Sequence, residues 1–293
     1  MPTPDLTGAL VLFPGALGDA VCLEPAIAAL AASQPVTLHA RGGAAEVAAL
    51  YPSPVTVRSL DAPEIARLFS PEDDPRTTQW LDGFARIVSF TGIGVPDVVR
   101  RLQATGRAAL AAFPRPPLSV HAVDLFLRAV GGDPRTARAV PRLELHAPSP
   151  VAGPTPLLVL LPGSGGRAKR APAGIFESLA RRWRQCGGDV SIVLGPAEPG
   201  EDAAWGAVGR TVRPSSVATL ARDVASAAAF VGNDSGPSHV AAALGTPGVV
   251  LYTTTDPTAF GPRGSDVTSI VLTSDGGTGA VETAWQALRA RLP

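Results

Sequence analysis

The chain has 293 residues, 45% of them hydrophobic, and its 25 basic and 25 acidic side chains give a formal net charge of zero. That length suits two domains of average size with buried cores, and the even charge excludes a general nucleic-acid binder, which needs a basic field around it. Two distant cysteines, Cys22 and Cys186, make neither a disulfide framework nor a metal site, so a reducing cytoplasm is expected. No basic segment leading into an apolar stretch marks a signal peptide, and no run approaches the roughly 20 apolar residues that span a bilayer.

In chain order, short apolar runs alternate with helix-like stretches. Residues 9–13 (ALVLF) read as a strand that passes through a glycine turn into DAVCLEPAIAALAAS, whose apolar spacing suits a buried helix. VTLHA (36–40) is followed by GAAEVAALY, VTVRSL (55–60) by APEIARLF, and RIVSF (86–90) by GVPDVVRRLQATG. HAVDLFLRAVGG (121–132) reads as a helix stopped by glycines. Residues 146–156 (HAPSPVAGPTP) hold four prolines without periodicity and mark a linker at about 148–155. The pattern then restarts with LLVLLPG (157–163), the helix AGIFESLARRWRQCG and DVSIVLG (189–195). A helix over 216–227, the strand AAFVG, GVVLY (248–252), VTSIVL (267–272) and an amphipathic closing helix (280–292) complete the chain. Apolar strands alternating with helices predict an α/β fold with parallel sheets covered on both faces. The expectation is two Rossmann-like domains, residues 1–147 and 156–293, facing a cleft.

Three loops fall where strands give way to helices, the usual ligand-binding end of a parallel sheet. In PGALGD (14–19), Gly15 and Gly18 allow a tight turn and Asp19 stands at the helix start. By position Asp19 reads as a helix cap; the alternative is a carboxylate facing the cleft and taking a proton from a hydroxyl nucleophile. The spacing is not GxGxxG, which disfavours a dinucleotide site. In PGSGGRAKR (162–170), Gly163 and Gly165 expose backbone N–H groups, Ser164 adds a hydroxyl and Lys169 a compact charge for phosphate. Lys169 is the only lysine and Asn233 the only asparagine in a chain whose other basic residues are all arginine. In VGNDSGPSH (231–239), Asn233, Asp234 and Ser235 precede a helix that begins near Gly236 and Pro237, a natural diphosphate seat, and His239 lies one turn further on.

Together these loops resemble glycosyltransferase family 9, the heptosyltransferase family. The matching segments are GALGDAVCLEPAIAAL, PGSGGRAK, GNDSGPSHVAAALGTP and TDPTAFGP, in the family's order along nearly the whole chain. Where members often carry Trp-Pro after the Lys-Arg pair, this chain has Ala171-Pro172. The resemblance implies a GT-B fold, with an acceptor-binding first domain and a nucleotide-sugar-binding second domain. The closing helix would have the option of packing back on the first. It implies metal-independent, inverting transfer of a sugar, heptose from ADP-heptose foremost, to a lipopolysaccharide-core-type glycolipid or saccharide acceptor. Asp19 matches the family's base and Lys169 the residue that neutralises the leaving diphosphate. Gly163, Ser164, Gly165, Asn233, Asp234, Ser235, Gly236 and His239 match the donor cradle. Glu198, with Glu201 next, is the candidate for the ribose, and Gly18 and Arg41, with Arg100 and Arg101, for the acceptor. No metal and no cofactor beyond the donor are expected. The implied enzyme is a cytoplasmic monomer that meets the inner face of the membrane only through its acceptor. The alternatives are another nucleotide sugar or a non-lipid acceptor, a sugar-nucleotide epimerase, or a non-catalytic binder.

Overall fold

The computed structural model describes residues 7–136, 139–145, 155–264, 266–273 and 278–289. Contacts divide the chain into two compact units, Met1–Ala139 and Val140–Pro293. The linker expected at 148–155 lies, except for Thr155, outside the described residues.

The first unit runs β1 (Ala9–Leu12), α1 (Leu17–Ala31), β2 (Val36–Ala40), α2 (Gly42–Ala48), β3 (Thr56–Ser59), α3 (Pro63–Leu68), α4 (Pro75–Leu81), β4 (Arg86–Ser89), α5 (Pro96–Ala104), β5 (Ala108–Leu110) and α6 (Ala122–Ala129). Its five strands pair in parallel in the order β3-β2-β1-β4-β5. The central strand β1 is fully buried, and on one side Leu10, Leu12 and Ile87 pack with Ile65, Leu68, Leu81, Val98 and Leu102. Helix α1 packs against both α2 and α6 and buries an unbroken stretch from Ala20 to Ile27, so its apolar residues surround it instead of forming one stripe. Pro25 inside α1 removes one helical hydrogen bond. Burial holds the helix together across this position, and the Tyr51 hydroxyl donates to the Ala20 carbonyl at 2.5 Å.

The second unit runs β6 (Leu157–Leu161), α7 (Ala173–Gln185), β7 (Asp189–Val193), α8 (Asp202–Gly206), β8 (Arg210–Val212), α9 (Val217–Ala225), β9 (Ala229–Asn233), α10 (Gly236–Ala243), β10 (Gly248–Tyr252), α11 (Pro257–Phe260), β11 (Val267–Val271) and α12 (Thr278–Arg289). Its six strands are parallel in the order β11-β10-β9-β6-β7-β8. Helix α7 sets Ile175, Phe176, Leu179, Ala180 and Trp183 on one buried face at three- and four-residue spacing. The closing helix α12 places Ala280, Ala284 and Leu288 in this same core, against α7, β10 and β11.

Both units thus have the Rossmann-like parallel sheet that the alternating pattern predicts. In each, strand order reverses beside the first strand: β1 neighbours β4, and β6 neighbours β9. Loops leaving the carboxyl ends of such strands diverge to opposite faces of the sheet and leave a crevice, where ligands of open α/β sheets bind. The loops singled out in the sequence follow β1, β6 and β9.

Candidate functional site

In the second unit, two loops meet across the β6/β9 reversal. The loop after β6 carries Gly163, Ser164, Gly165 and a single 3₁₀ turn, Arg167–Lys169. The chain after β9 passes through Asp234 and Ser235 into α10, whose first residue is Gly236. The Ser164 hydroxyl donates to the Asp234 carbonyl at 3.0 Å, and Lys169 Nζ donates to Asp234 Oδ2 at 2.8 Å. The two partners differ in access: the lysine side chain is 41% exposed and the aspartate 6%. The ammonium therefore stands at the surface of the crevice, anchored by a carboxylate below it.

Asn233 acts one layer deeper. Its side chain is 0% exposed, its Nδ2 donates to the Pro162 carbonyl at 2.6 Å, and its Oδ1 accepts from the Ala171 N–H at 2.9 Å. Pro162 and Ala171 are the two ends of the lysine-bearing loop, so one buried amide closes it. An amide supplies a donor and an acceptor on one planar group, which aspartate or leucine of the same size cannot. Ser238 Oγ donates to the Asn233 carbonyl at 2.7 Å, and Thr253, after β10, donates from its hydroxyl to the Ala168 carbonyl at 2.6 Å. Ser235 caps α10 with extended backbone only, its hydroxyl lying 3.4 Å from that of Ser238. His239 is buried within the first turn of α10. Ala171, at the position where family 9 members often have tryptophan, is buried in the core beneath the loop.

Glu198, expected at a ribose, is also buried. Its Oε1 accepts from Arg170 Nη2 at 2.7 Å and its Oε2 from the Gly195 N–H at 2.9 Å. The carboxylate lies directly under the glycine loop: a Cβ on Gly163 would fall 2.5 Å from Oε2. Gly165 has open space at the same test, so of the two only Gly163 is required by a close approach. Glu201 is more accessible, accepting from Arg170 Nη1 at 2.9 Å and from the Trp205 indole at 3.3 Å. Arg213 supports this loop from below, donating to the carbonyls of Gly195 at 2.9 Å and Glu198 at 2.6 Å. The same guanidinium pairs with Asp202 and holds its carboxyl below the usual range. Sequence reasoning missed Arg170 and Arg213, because arginine is so common here that neither stands out. The available signal was the Lys-Arg pair that ends a glycine loop.

In the first unit, Asp19 occupies the third position of α1, not the cap itself, and its Oδ2 accepts from the Ala16 N–H at 2.9 Å. This is half of a capping box, since Ala16 has no side-chain oxygen to return the bond. The turn rests on a phenylalanine cluster in which the Phe13, Phe90 and Phe126 rings meet edge to face at 5.2–5.9 Å. A Cβ on Gly15 would fall 2.5 Å from the Phe13 ring and 2.8 Å from Asp19 Cβ, so glycine is what lets the aspartate sit on this floor. Gly18 lies beside Asp19 in the first turn. Arg41, at the start of α2, makes a 3.4 Å ion pair with Asp61 in which both side chains are over half exposed, a pair of small energetic weight. Arg100 pairs with Asp73 and Asp97 on the surface. Arg101 is buried and donates to the carbonyls of Leu68, Ser70 and Glu72. It is a loop brace, and its guanidinium is not presented to an anionic acceptor. Among the described residues no cluster of His, Cys, Asp or Glu is arranged to hold a metal ion, and no helix is long and apolar enough to cross a membrane.

Comparison with known proteins gives the family and the fold. The family model for glycosyltransferase family 9 (heptosyltransferase) matches residues 133–280, which contain the loops after β6 and β9. Among solved structures, a glycosyl transferase family 9 protein from Veillonella parvula superposes with a TM-score of 0.74 at 16% identity, covering 98% of each chain. E. coli ADP-heptose LPS heptosyltransferase II gives 0.70 at 19% identity, over 97% of this chain and 98% of its own. The E. coli heptosyltransferase WaaC, solved with ADP, gives 0.70 at 16% identity, over 97% and 99%. No curated protein sequence matches the chain. The family match covers half of the chain, and the fold is shared over nearly all of it: the chain is a glycosyltransferase and belongs to glycosyltransferase family 9.

Proposed function

We propose that the protein transfers heptose from ADP-heptose to a hydroxyl of a lipopolysaccharide-core-type glycolipid, with inversion and without a metal. The observation that carries this reading is the convergence of Ser164 and Lys169 on Asp234 at the switch point of the second sheet, beside the start of α10. A helix start offers N–H groups and the positive end of its dipole to an anion. The ammonium adds a full charge where the leaving diphosphate becomes negative. Gly163, Ser164, Gly165, Asp234, Ser235, Gly236 and His239 form the donor cradle, and Asn233 acts through the loop it closes. Glu201 takes the ribose contact, because its side chain is 35% exposed against 4% for that of Glu198.

Asp19 is the base. The acceptor oxygen attacks the anomeric carbon and the acceptor proton passes to the Asp19 carboxylate. The bond from the anomeric carbon to the diphosphate oxygen breaks, and its electron pair leaves on ADP. One displacement of this kind inverts the anomeric centre. The Ala16 N–H bond fixes the carboxylate's orientation. Gly18 and Arg41 are the acceptor-side contacts of this reading. The enzyme works as a cytoplasmic monomer and meets the membrane through its acceptor. With Asp19→Ala, transfer from ADP-heptose, followed by product mass, falls by about a thousandfold or more while ADP affinity stays within about twofold. Retained turnover in that variant overturns the base assignment.

A further inference from the structure

The adjacent cations Lys169 and Arg170 go to different partners, and each meets a buried acid. Lys169 pairs with Asp234 at 2.8 Å and Arg170 with Glu198 at 2.7 Å. The two cations differ in how fully they are committed. Lys169 has one carboxylate partner and a side chain 41% exposed. The Arg170 side chain is 18% exposed and its two terminal nitrogens serve Glu198, Glu201 and the Ala197 carbonyl. The Glu198 carboxylate lies against the backbone of Gly163, the first glycine of the loop proposed to receive a diphosphate. A buried carboxylate at that place repels an incoming phosphate through a medium of low dielectric. A planar guanidinium with two forks can answer two carboxylates at once, which a lysine ammonium does with far less directional fit.

We infer that Arg170 is a positioning residue that keeps the glycine loop receptive to anions by cancelling the charge of Glu198, leaving Lys169 as the mobile cation for the diphosphate. This inference rests on the proposed donor site. It also gives a reason for the order Lys-Arg: the exchangeable cation is the compact one, and the fixed cation is the fork.

The test is calorimetric titration of inorganic pyrophosphate and of ADP into the wild-type chain, Arg170→Gln, Arg170→Lys and the double variant Arg170→Gln/Glu198→Gln, each checked for folding by circular dichroism. Arg170→Gln weakens pyrophosphate on the order of tenfold, as an uncancelled charge a few ångströms from the loop requires. Arg170→Lys recovers most of the loss, and the double variant returns close to the wild-type value. A purely structural brace would leave the anion affinity of the folded Arg170→Gln protein unchanged, and that result overturns the inference alone. So does a loss that neither Arg170→Lys nor the double variant recovers. If the wild-type chain binds neither pyrophosphate nor ADP, the donor site itself falls and the inference with it.

Discussion

Besides its one methionine, two residue types occur once each in this chain, and the structure gives them different work. Lys169 stands at the crevice surface with its ammonium on Asp234, while Asn233 is wholly buried and joins the two ends of the loop that carries the lysine. The sequence marks both as exceptional, since an arginine- and alanine-rich chain retains them only at these places. It does not say that the asparagine spends both polar ends on backbone, because that depends on bonds spanning 62 and 71 residues. The same holds for Glu198, whose carboxylate is shared between Arg170 and the Gly195 N–H. Asn233→Asp keeps the acceptor for Ala171 but sets an oxygen against the Pro162 carbonyl. It should cost about 2–4 kcal/mol in urea unfolding and loosen nucleotide binding together with stability. Lys169→Arg should leave stability within about 0.5 kcal/mol and lower transfer by about tenfold or more, because a fork that bridges Asp234 and a phosphate needs a geometry the compact ammonium does not. Equal activity in that variant would show that a point charge is not required.

At the level of elements, the strong periodic segments are legible and the short ones are not. The strands β1, β2, β4, β6, β7, β9, β10 and β11 are apolar runs bounded by turns, and sequence and structure agree on them within one or two residues. Helix α4, with two threonines in seven residues, and the short elements β5, β8, α8 and α11 were not legible. They run to only three to seven residues and form because neighbours in the sheet or core hold them. Helix α1 shows how packing overrides a local rule: Pro25 lies inside it, and Tyr51, just beyond α2, ties down its first turns through the Ala20 carbonyl. Burial, reinforced by the nearby Glu24, pushes the Tyr51 hydroxyl well above its ordinary value. The folded state thus favours the protonated phenol. Its contribution is fully present below the unfolded value of about 10 and is lost as pH rises beyond it. Tyr51→Phe should cost about 1 kcal/mol at neutral pH through the missing hydrogen bond, yet flatten the decline of stability above about pH 10. Urea midpoints at pH 8 and pH 11 measure both effects. An unchanged alkaline decline would place its cause elsewhere.

For the molecule as a whole, two parallel sheets with the same reversal in strand order each put their chemistry-bearing loops at the carboxyl edge beside that reversal. Family membership rests on the second unit, where the family match includes the loops after β6 and β9. The first unit, which reads the acceptor in the proposed function, carries Asp19 on an aromatic floor. In the proposed function the lone lysine and the start of α10 bind the diphosphate of an adenine nucleotide. Calorimetric titration of ADP, UDP, GDP and CDP into the wild-type chain and Lys169→Ala tests it most directly. ADP should bind in preference to the other three, and the substitution should weaken it by about tenfold or more. Binding of no nucleotide, or ADP binding indifferent to the loss of Lys169, would contradict it.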